Sequence, residues 1–305
     1  MSTATAQVAQ TRTTVASGAG LVLAAVVSVQ VGAALAKNLF DQLGAPGVVW
    51  LRLGIAALIL LAAWRPWPWR RGRRWSRTTV WQVAVFGLVI AAMNSTFYLS
   101  LSRIPLGIAV TVEFIGPLAL AAILSRRWLD ALWVLLALSG ILLLVTTDGH
   151  THLDVVGVVL AAVAGVFWAA YIVLSSKVGE KVPGGSGLAA ALVISAIVTT
   201  PSGVASVSGH LTWPALAAAA GVALLSSAVP WSLEMEALRR VPAGVFSILM
   251  SLEPAVAAFA GWALLHEHLL LRQWCGIAVV VTASAGAAAT SARARDELST
   301  PAVQS

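Results

Sequence analysis

Apolar residues run through this chain in long stretches, and the polar segments that separate them are short. Ten stretches of about 18–22 mostly uncharged residues together fill roughly two-thirds of the sequence. At 1.5 Å of rise per residue, each is long enough to cross a hydrocarbon layer of about 30 Å as an α-helix. Because lipid offers no partner for backbone N–H and C=O groups, segments that cross it must be helical. The pattern predicts an all-α integral membrane protein with ten transmembrane helices.

The boundaries of the predicted spans are read from the Gly, Pro and charged residues that interrupt the apolar runs. The spans cover residues 16–36, 46–64, 79–101, 105–124, 129–147, 154–175, 187–206, 213–233, 243–265 and 269–290. The segments 1–15 and 291–305 are then terminal tails, which face the same side because the number of crossings is even.

The positions of lysine and arginine predict which side each loop faces. If the N-terminus is cytoplasmic, fifteen of the nineteen basic residues fall on the cytoplasmic side, three fall on the opposite side, and Arg52 lies inside a span. Cytoplasmic loops of membrane proteins carry an excess of Lys and Arg. Both tails are therefore predicted to be cytoplasmic.

Composition narrows the classes of function. The chain is 59% hydrophobic and 10% charged, with a mean hydropathy of +0.89. These values fit a membrane bundle and argue against a disordered or nucleic-acid-binding protein. The net charge of +7 resides mainly in loops beside the membrane, where basic residues contact anionic lipid.

No cofactor, metal or catalytic site is expected from the motifs. Cys275 is the single cysteine, so an intrachain disulfide is impossible. The His266-Glu267-His268 sequence lacks the spacing of a zinc motif and is expected to be solvated. A Walker A motif is also missing, so transport energy would come from an ion or substrate gradient, or from a separate ATPase subunit.

Two segments of the chain resemble each other at a separation of 137 residues. Residues 101–107 (LSRIPLG) and 238–244 (LRRVPAG) share Leu, Arg, Pro and Gly at matching positions. This separation places five spans in each half, which gives repeats over residues 16–147 and 154–290. Because five is odd, the second repeat must enter the membrane from the opposite side. The sequence thus predicts two inverted five-helix repeats, an architecture found in transporters that open to each side in turn.

Four polar residues fall at similar depths in the outer half of the predicted bundle. Counted at 1.5 Å per residue, Glu113 lies about 12 Å and Arg52 about 9 Å from the outer ends of their spans. Asn94 and Tyr98 lie near the outer end of the third span. Because ionisable groups at membrane depth are costly and usually functional, we expect these residues to bind a zwitterion. Arg52 would bind a carboxylate, and Glu113 an ammonium group or a proton.

Other arrangements would leave these residues without a transport role. Arg52 and Glu113 could neutralise each other, or the Arg52 side chain could extend outward to the membrane interface. Trp168 and Tyr171, in the inner half of the sixth span, could line a cavity or pack the bundle.

The second half contributes two carboxylates. Glu253 lies near the midplane directly before Pro254, which can kink a helix and free backbone carbonyls. A gate or ion site is one interpretation, and a hydrogen bond to Ser251 or to another helix is the alternative. Glu234 is expected, together with Glu236, to join a solvated charge cluster with the neighbouring arginines, and it is also a pathway candidate. The full set of pathway candidates is Arg52, Asn94, Tyr98, Glu113, Trp168, Tyr171, Glu234 and Glu253.

Four blocks of sequence, spread over both halves, resemble motifs of a known transporter family. They cover residues 35–41 with 44–47 and 51–53, 94–120, 125–140 and 229–255. The strings PLGIAV-x-x-EF-x-GPLA and SLEM with SLEPA are the most specific. On these residues the chain resembles the EamA-domain family of the drug/metabolite transporter superfamily. The resemblance implies ten helices in two inverted five-helix repeats. It also implies secondary export of small amino acids of the threonine and homoserine type across a bacterial inner membrane.

The expected partners follow from the resemblance together with the charge distribution and the glutamate at membrane depth. They are a small-molecule substrate, membrane lipid and a proton gradient, with the chain acting as a monomer or homodimer and without nucleic acid. An exporter of drugs or other metabolites is an open alternative, in which aromatic residues would line the pathway. An intramembrane enzyme acting on lipids would need clustered His, Asp or Ser at one interface, whereas the histidines here lie in loops.

Overall fold

A computed structural model describes residues 2–64, 75–125, 128–145, 153–182 and 185–299. All regular elements in these ranges are helices, as the apolar pattern predicts. They are α1 (Ser2–Asn38), α2 (Phe40–Trp64), α3 (Arg77–Leu101), α4 (Leu106–Glu113), α5 (Ile115–Ser125), α6 (Trp128–Val145), α7 (Val155–Lys181), α8 (Ser186–Val207), α9 (Trp213–Ala223), a π-helical turn (Leu224–Ala228), α10 (Val229–Leu238), α11 (Ala243–Met250), α12 (Glu253–Leu265) and α13 (Leu271–Ser299).

Nine helical segments in the described ranges are long and apolar enough to cross a membrane. The all-α integral membrane fold is therefore confirmed. The predicted span 129–147 corresponds to α6, whose apolar part, Ala131–Leu144, is shorter than the others. Both predicted tails are helical where the structure describes them, since α1 begins at Ser2 and α13 ends at Ser299.

The fourth and ninth spans are each broken into two helices at matching places. In both, a proline with φ −58° and ψ 145° precedes an eight-residue helix, α4 after Pro105 and α11 after Pro242. Pro117 and Pro254 lie in the first turn of the following helices, where the missing proline N–H costs no hydrogen bond. Pro254 is therefore the second residue of α12, which begins at Glu253, and does not kink a continuous helix.

Helix packing follows the pattern that two related halves would give. The second helix of one half, α2, packs against its counterpart α8, and α6 packs against α13. Helix α3 packs on α7, and the α9–α10 segment packs on α1 in the equivalent way. Together with the matching breaks, this pairing supports the inverted repeat, which remains a prediction.

Gly165 in α7 is needed for close packing of the interior. A Cβ at this position would collide with the backbone carbonyl of Glu113, whereas a Cβ at Gly179 in the same helix would meet open space. We expect Gly165→Ala to lower the free energy of unfolding by about 1–3 kcal/mol through overpacking. Gly179→Ala, the matched control, should be neutral or stabilise the helix by up to about 1 kcal/mol. Thermal denaturation of the purified proteins in detergent measures both, and equal melting temperatures would contradict the packing.

Candidate functional site

A cavity of about 290 Å³ lies among helices from both predicted halves. Seven of the eight residues predicted for the transport pathway line it: Arg52, Asn94, Glu113, Trp168, Tyr171, Glu234 and Glu253. The remaining wall is mostly apolar and includes Leu53, Val110 and Leu192. A small concave site with a few convergent polar groups on an apolar wall is the usual form of a small-molecule binding site.

Arg52 is held in place by neutral oxygen atoms. Its Nη1 donates to Asn94 Oδ1 at 2.6 Å, and its Nε donates to Ser226 Oγ at 2.7 Å. A longer bond of 3.4 Å joins Nη2 to the Ser226 carbonyl. Asn94 is itself fixed by donating from Nδ2 to the Ile90 carbonyl at 2.9 Å. These bonds fix the guanidinium and leave some of its N–H donors available, and no carboxylate among the described residues bonds to it.

Tyr98 supports Arg52 from outside the cavity wall. The guanidinium carbon lies 5.3 Å from the centre of the Tyr98 ring, a distance typical of cation–π attraction. Tyr98 is only 1% exposed and packs against Phe40 and Phe97. The structure therefore places this predicted pathway residue behind the arginine, where it positions the guanidinium.

Glu113 and Arg52 do not neutralise each other by direct contact. No ion pair within 4 Å joins them in the part of the chain that the structure describes, although both line the cavity. Arg52 does not extend outward either, because its bonds run to α3 and to the π-helical turn. Glu113 ends α4 at the helix break and is 8% exposed. The two charges thus face one space from different helices.

Glu253 bonds to a residue that the sequence did not single out. Gln30 Nε2 donates to Glu253 Oε1 at 3.1 Å, while Ser251 donates to the Ile248 carbonyl instead. Of the two bonds that the alternative allowed, the structure shows the one to another helix and not the one to Ser251, while the gate or ion-site interpretation stays a prediction.

The two aromatic candidates both line the cavity and pack the bundle. Trp168 lies edge-on to Phe114, with ring centres 5.4 Å apart, and Tyr171 lies 5.3 Å from Phe86. Their packing fixes the rings at the cavity wall.

The two acidic residues of α10, Glu234 and Glu236, lie in different surroundings. Glu236 accepts hydrogen bonds from Arg239 and Arg240, as the predicted charge cluster requires. Glu234 instead lines the cavity, so its predicted place in that solvated cluster is wrong.

Three polar residues of the cavity wall were missed by sequence reasoning: Gln30, Ser226 and Ser227. Gln30 is a carboxamide deep within an otherwise apolar span, and such a polar residue at membrane depth could have been identified from the sequence as a candidate. The serines interrupt the apolar run of the eighth span, and both lie in the π-helical turn. Such turns occur often at functional sites, but a short sequence does not reveal them.

A partly buried ion pair joins α1 to the segment between α12 and α13 at one end of the bundle. Lys37 Nζ lies 2.7 Å from Glu267 Oε1 and also donates to the Ile104 carbonyl at 2.9 Å. The other carboxylate oxygen of Glu267 accepts from the Leu106 backbone N–H, at the start of α4, at 2.9 Å. Glu267 is therefore not the solvated loop residue that the sequence suggested.

A second ion pair lies at the same end, at the surface. Arg103 contacts Asp154 at 2.9 Å, and this hydrogen bond to the guanidinium lowers the pKa of the Asp154 carboxyl. Asp154 also caps the first turn of α7 by accepting from Val156 and Gly157.

The two ends of the broken helices differ in packing. At the end that holds Glu267, α4 packs closely on α12, with Gly107 against the backbone of Ala258. At the opposite end, α5 and α11 have hardly any contact within the described ranges. The Glu267 end, which we call the closed end, is thus the more closely packed of the two.

Comparisons with known proteins agree with one another. The model of the EamA-like transporter family matches residues 155–288. The threonine/homoserine exporter RhtA of Salmonella typhimurium LT2 is 41% identical over 272 residues, which cover 88% of this chain and 90% of the exporter. RhtA of Escherichia coli K12 is 40% identical with the same coverage. The uncharacterized transporter YwfM of Bacillus subtilis is 30% identical over 163 residues, which cover 52% of this chain and 55% of YwfM.

The fold has also been seen in a solved structure. One crystal structure of a protein superposes with a TM-score of 0.58 at 17% sequence identity, covering 93% of this chain and 99% of that chain. At this identity the likeness supports the fold alone. The family follows from the sequence relatives: the chain is a multi-pass membrane transporter, not an enzyme, and belongs to the EamA-like transporter family.

Proposed function

We propose that this protein is a secondary active exporter of small amino acids of the threonine and homoserine type in a bacterial inner membrane. The observation that carries the proposal is a cavity lined by the guanidinium of Arg52, which has no direct ion pair among the described residues, and by the acidic side chains of Glu113 and Glu253. A zwitterion presents the complementary charges. The 41% identity to exporters named for threonine and homoserine supports this substrate class.

Arg52 is the proposed partner of the substrate carboxylate. Its hydrogen bonds to Asn94 and Ser226 fix the plane of the guanidinium before substrate arrives. A guanidinium held in this way can give two parallel N–H bonds to a carboxylate. The apolar wall would take the aliphatic part of the substrate side chain.

Transport would alternate between states open to each side. The inverted repeat gives two equivalent ways to pack the bundle, and the Lys37–Glu267 pair would close the outer end in the state described above. With both termini cytoplasmic, the looser end faces the cytoplasm, where an exporter loads its substrate.

Inverted membrane vesicles provide the direct test of this function. Their cytoplasmic face is outward, so an exporter accumulates labelled substrate inside. We expect saturable uptake of threonine or homoserine that rises when the vesicle interior is acidified. Efflux of a hydrophobic dye without movement of amino acids would instead favour a drug exporter, because the cavity wall is rich in apolar and aromatic side chains.

Glu113 is the proposed proton carrier, since it is buried, faces the cavity and ends a broken helix. We expect Glu113→Gln to abolish accumulation driven by a proton gradient while keeping exchange of labelled for unlabelled threonine. Glu180→Gln, which changes an exposed carboxylate in α7, is the matched control and should keep both activities. Gradient-driven accumulation by Glu113→Gln with unchanged pH dependence would eliminate this role.

A further inference from the structure

Two acceptor oxygens at the cavity wall have no donor among the described residues. Gln30 is 2% exposed and Glu253 is 8% exposed. Their mutual hydrogen bond uses Gln30 Nε2 and Glu253 Oε1. Gln30 Oε1 and Glu253 Oε2 are fully buried and accept nothing from the rest of the described chain.

The orientation of the Gln30 amide follows from the chemistry of its partner. When Glu253 is ionised its carboxylate only accepts hydrogen bonds, so the amide nitrogen then faces Glu253 and the amide oxygen is directed elsewhere. Buried acceptors without donors are costly, and such groups in native structures usually have a functional reason. Both residues line the cavity, so a ligand inside it lies beside them, and a small rotation of either side chain turns its buried oxygen toward that ligand.

We propose that Gln30 and Glu253 form the subsite for the substrate's ammonium group. Three N–H donors on an ammonium would satisfy the two free oxygens, and the negative charge of Glu253 would balance the positive charge. Arg52 lines the same cavity and is fixed by Asn94 and Ser226, so the substrate carboxylate binds there. This inference rests on the proposed function and adds which residues distinguish an amino acid from a hydroxy acid.

The test compares threonine with 3-hydroxybutyrate, the same molecule with hydrogen in place of the ammonium group. Full-length protein in proteoliposomes loaded with unlabelled threonine exchanges labelled threonine, and each compound is titrated as a competitor. The half-inhibitory concentration of 3-hydroxybutyrate divided by that of threonine measures recognition of the ammonium group. We expect a large ratio for the unmodified protein. Gln30→Met, which keeps length but removes both polar atoms, should lower the ratio by about tenfold or more.

Two controls separate recognition from packing. Ser28→Ala removes the hydrogen bond of Ser28 to the Leu225 carbonyl, also in α1 but outside the cavity lining, and should leave the ratio unchanged. Gln42→Met removes an exposed glutamine from α2 and should likewise have no effect. If Gln30→Met fails to fold, Glu253→Gln is the second variant in which the ratio is measured, and it should lower the ratio as well. For this variant the affinity for each compound is read from ligand-induced thermal stabilisation, which needs no turnover.

The outcomes separate the two proposals. A protein that exchanges no threonine refutes the proposed function. If the unmodified protein exchanges threonine but binds 3-hydroxybutyrate equally well, the ammonium subsite is refuted alone. The same conclusion follows if the ratio stays unchanged in both Gln30→Met and Glu253→Gln.

Discussion

Replacing Arg52 with glutamine is expected to reduce threonine exchange by about 100-fold or more. The substitution removes the cation that faces the substrate carboxylate. It also leaves Asn94 Oδ1 and Ser226 Oγ without the donor that they share. Exchange by proteoliposomes, together with threonine-induced thermal stabilisation, would separate loss of binding from loss of a later step, and we expect both to fall.

Arg52→Lys distinguishes charge from geometry. Lysine keeps the positive charge but cannot bond Asn94 and Ser226 at once with a planar group, so we expect partial activity and weaker binding. Arg77→Gln changes an exposed arginine at the start of α3 and serves as the matched control. Threonine exchange by Arg52→Gln at the rate of Arg77→Gln would show that the guanidinium does not bind the substrate.

Glu267→Gln is expected to open the closed end of the bundle. The pair of Lys37 with Glu267 is 23% and 13% exposed, and removing one partner leaves the Lys37 ammonium only partly neutralised. Breaking a buried pair costs up to about 3–5 kcal/mol, and a partial loss suffices to shift a conformational equilibrium by about tenfold or more.

Labelling of an introduced cysteine would measure this opening. Val110→Cys lines the cavity on the closed side, in a background with the exposed Cys275 changed to serine. A membrane-impermeant maleimide added from the Glu267 side should react faster when Glu267→Gln is present. Arg103→Gln breaks the more exposed pair at the same end and should change the rate little. Equal rates in all three proteins would contradict a closing role for Glu267.

The number of helices and the depth of the main polar residues could be predicted because both depend on local sequence. A run of apolar residues must span lipid as a helix, and counting along it places Arg52 and Glu113 at similar depths. The structure does place Arg52, Asn94 and Glu113 at one cavity. It adds Trp168, Tyr171, Glu234 and Glu253, which the sequence had placed at other depths. Tyr98 was placed at the right depth but lies behind Arg52, since sequence depth does not say which way a helix face turns.

Contacts between distant residues could not be predicted in the same way. Gln30 and Glu253 are 223 positions apart, and no periodicity links them. Glu267 looked like a solvated loop residue. The left-handed conformation of His266, with φ 54°, turns the chain so that the Glu267 N–H donates to the Gly261 carbonyl and its side chain reaches Lys37. The position of Glu267 thus depends on a backbone conformation at His266 that the sequence pattern does not reveal.

Protection of a cysteine at the Ser227 position tests most directly whether the cavity is the substrate site. Ser227 lines the cavity, and Ser208, exposed at the end of α8, supplies the control position. With Cys275 changed to serine, we expect threonine to slow modification of Ser227→Cys and not of Ser208→Cys, and modification of Ser227→Cys to stop threonine exchange. Exchange that continues after complete modification at this position would contradict the account.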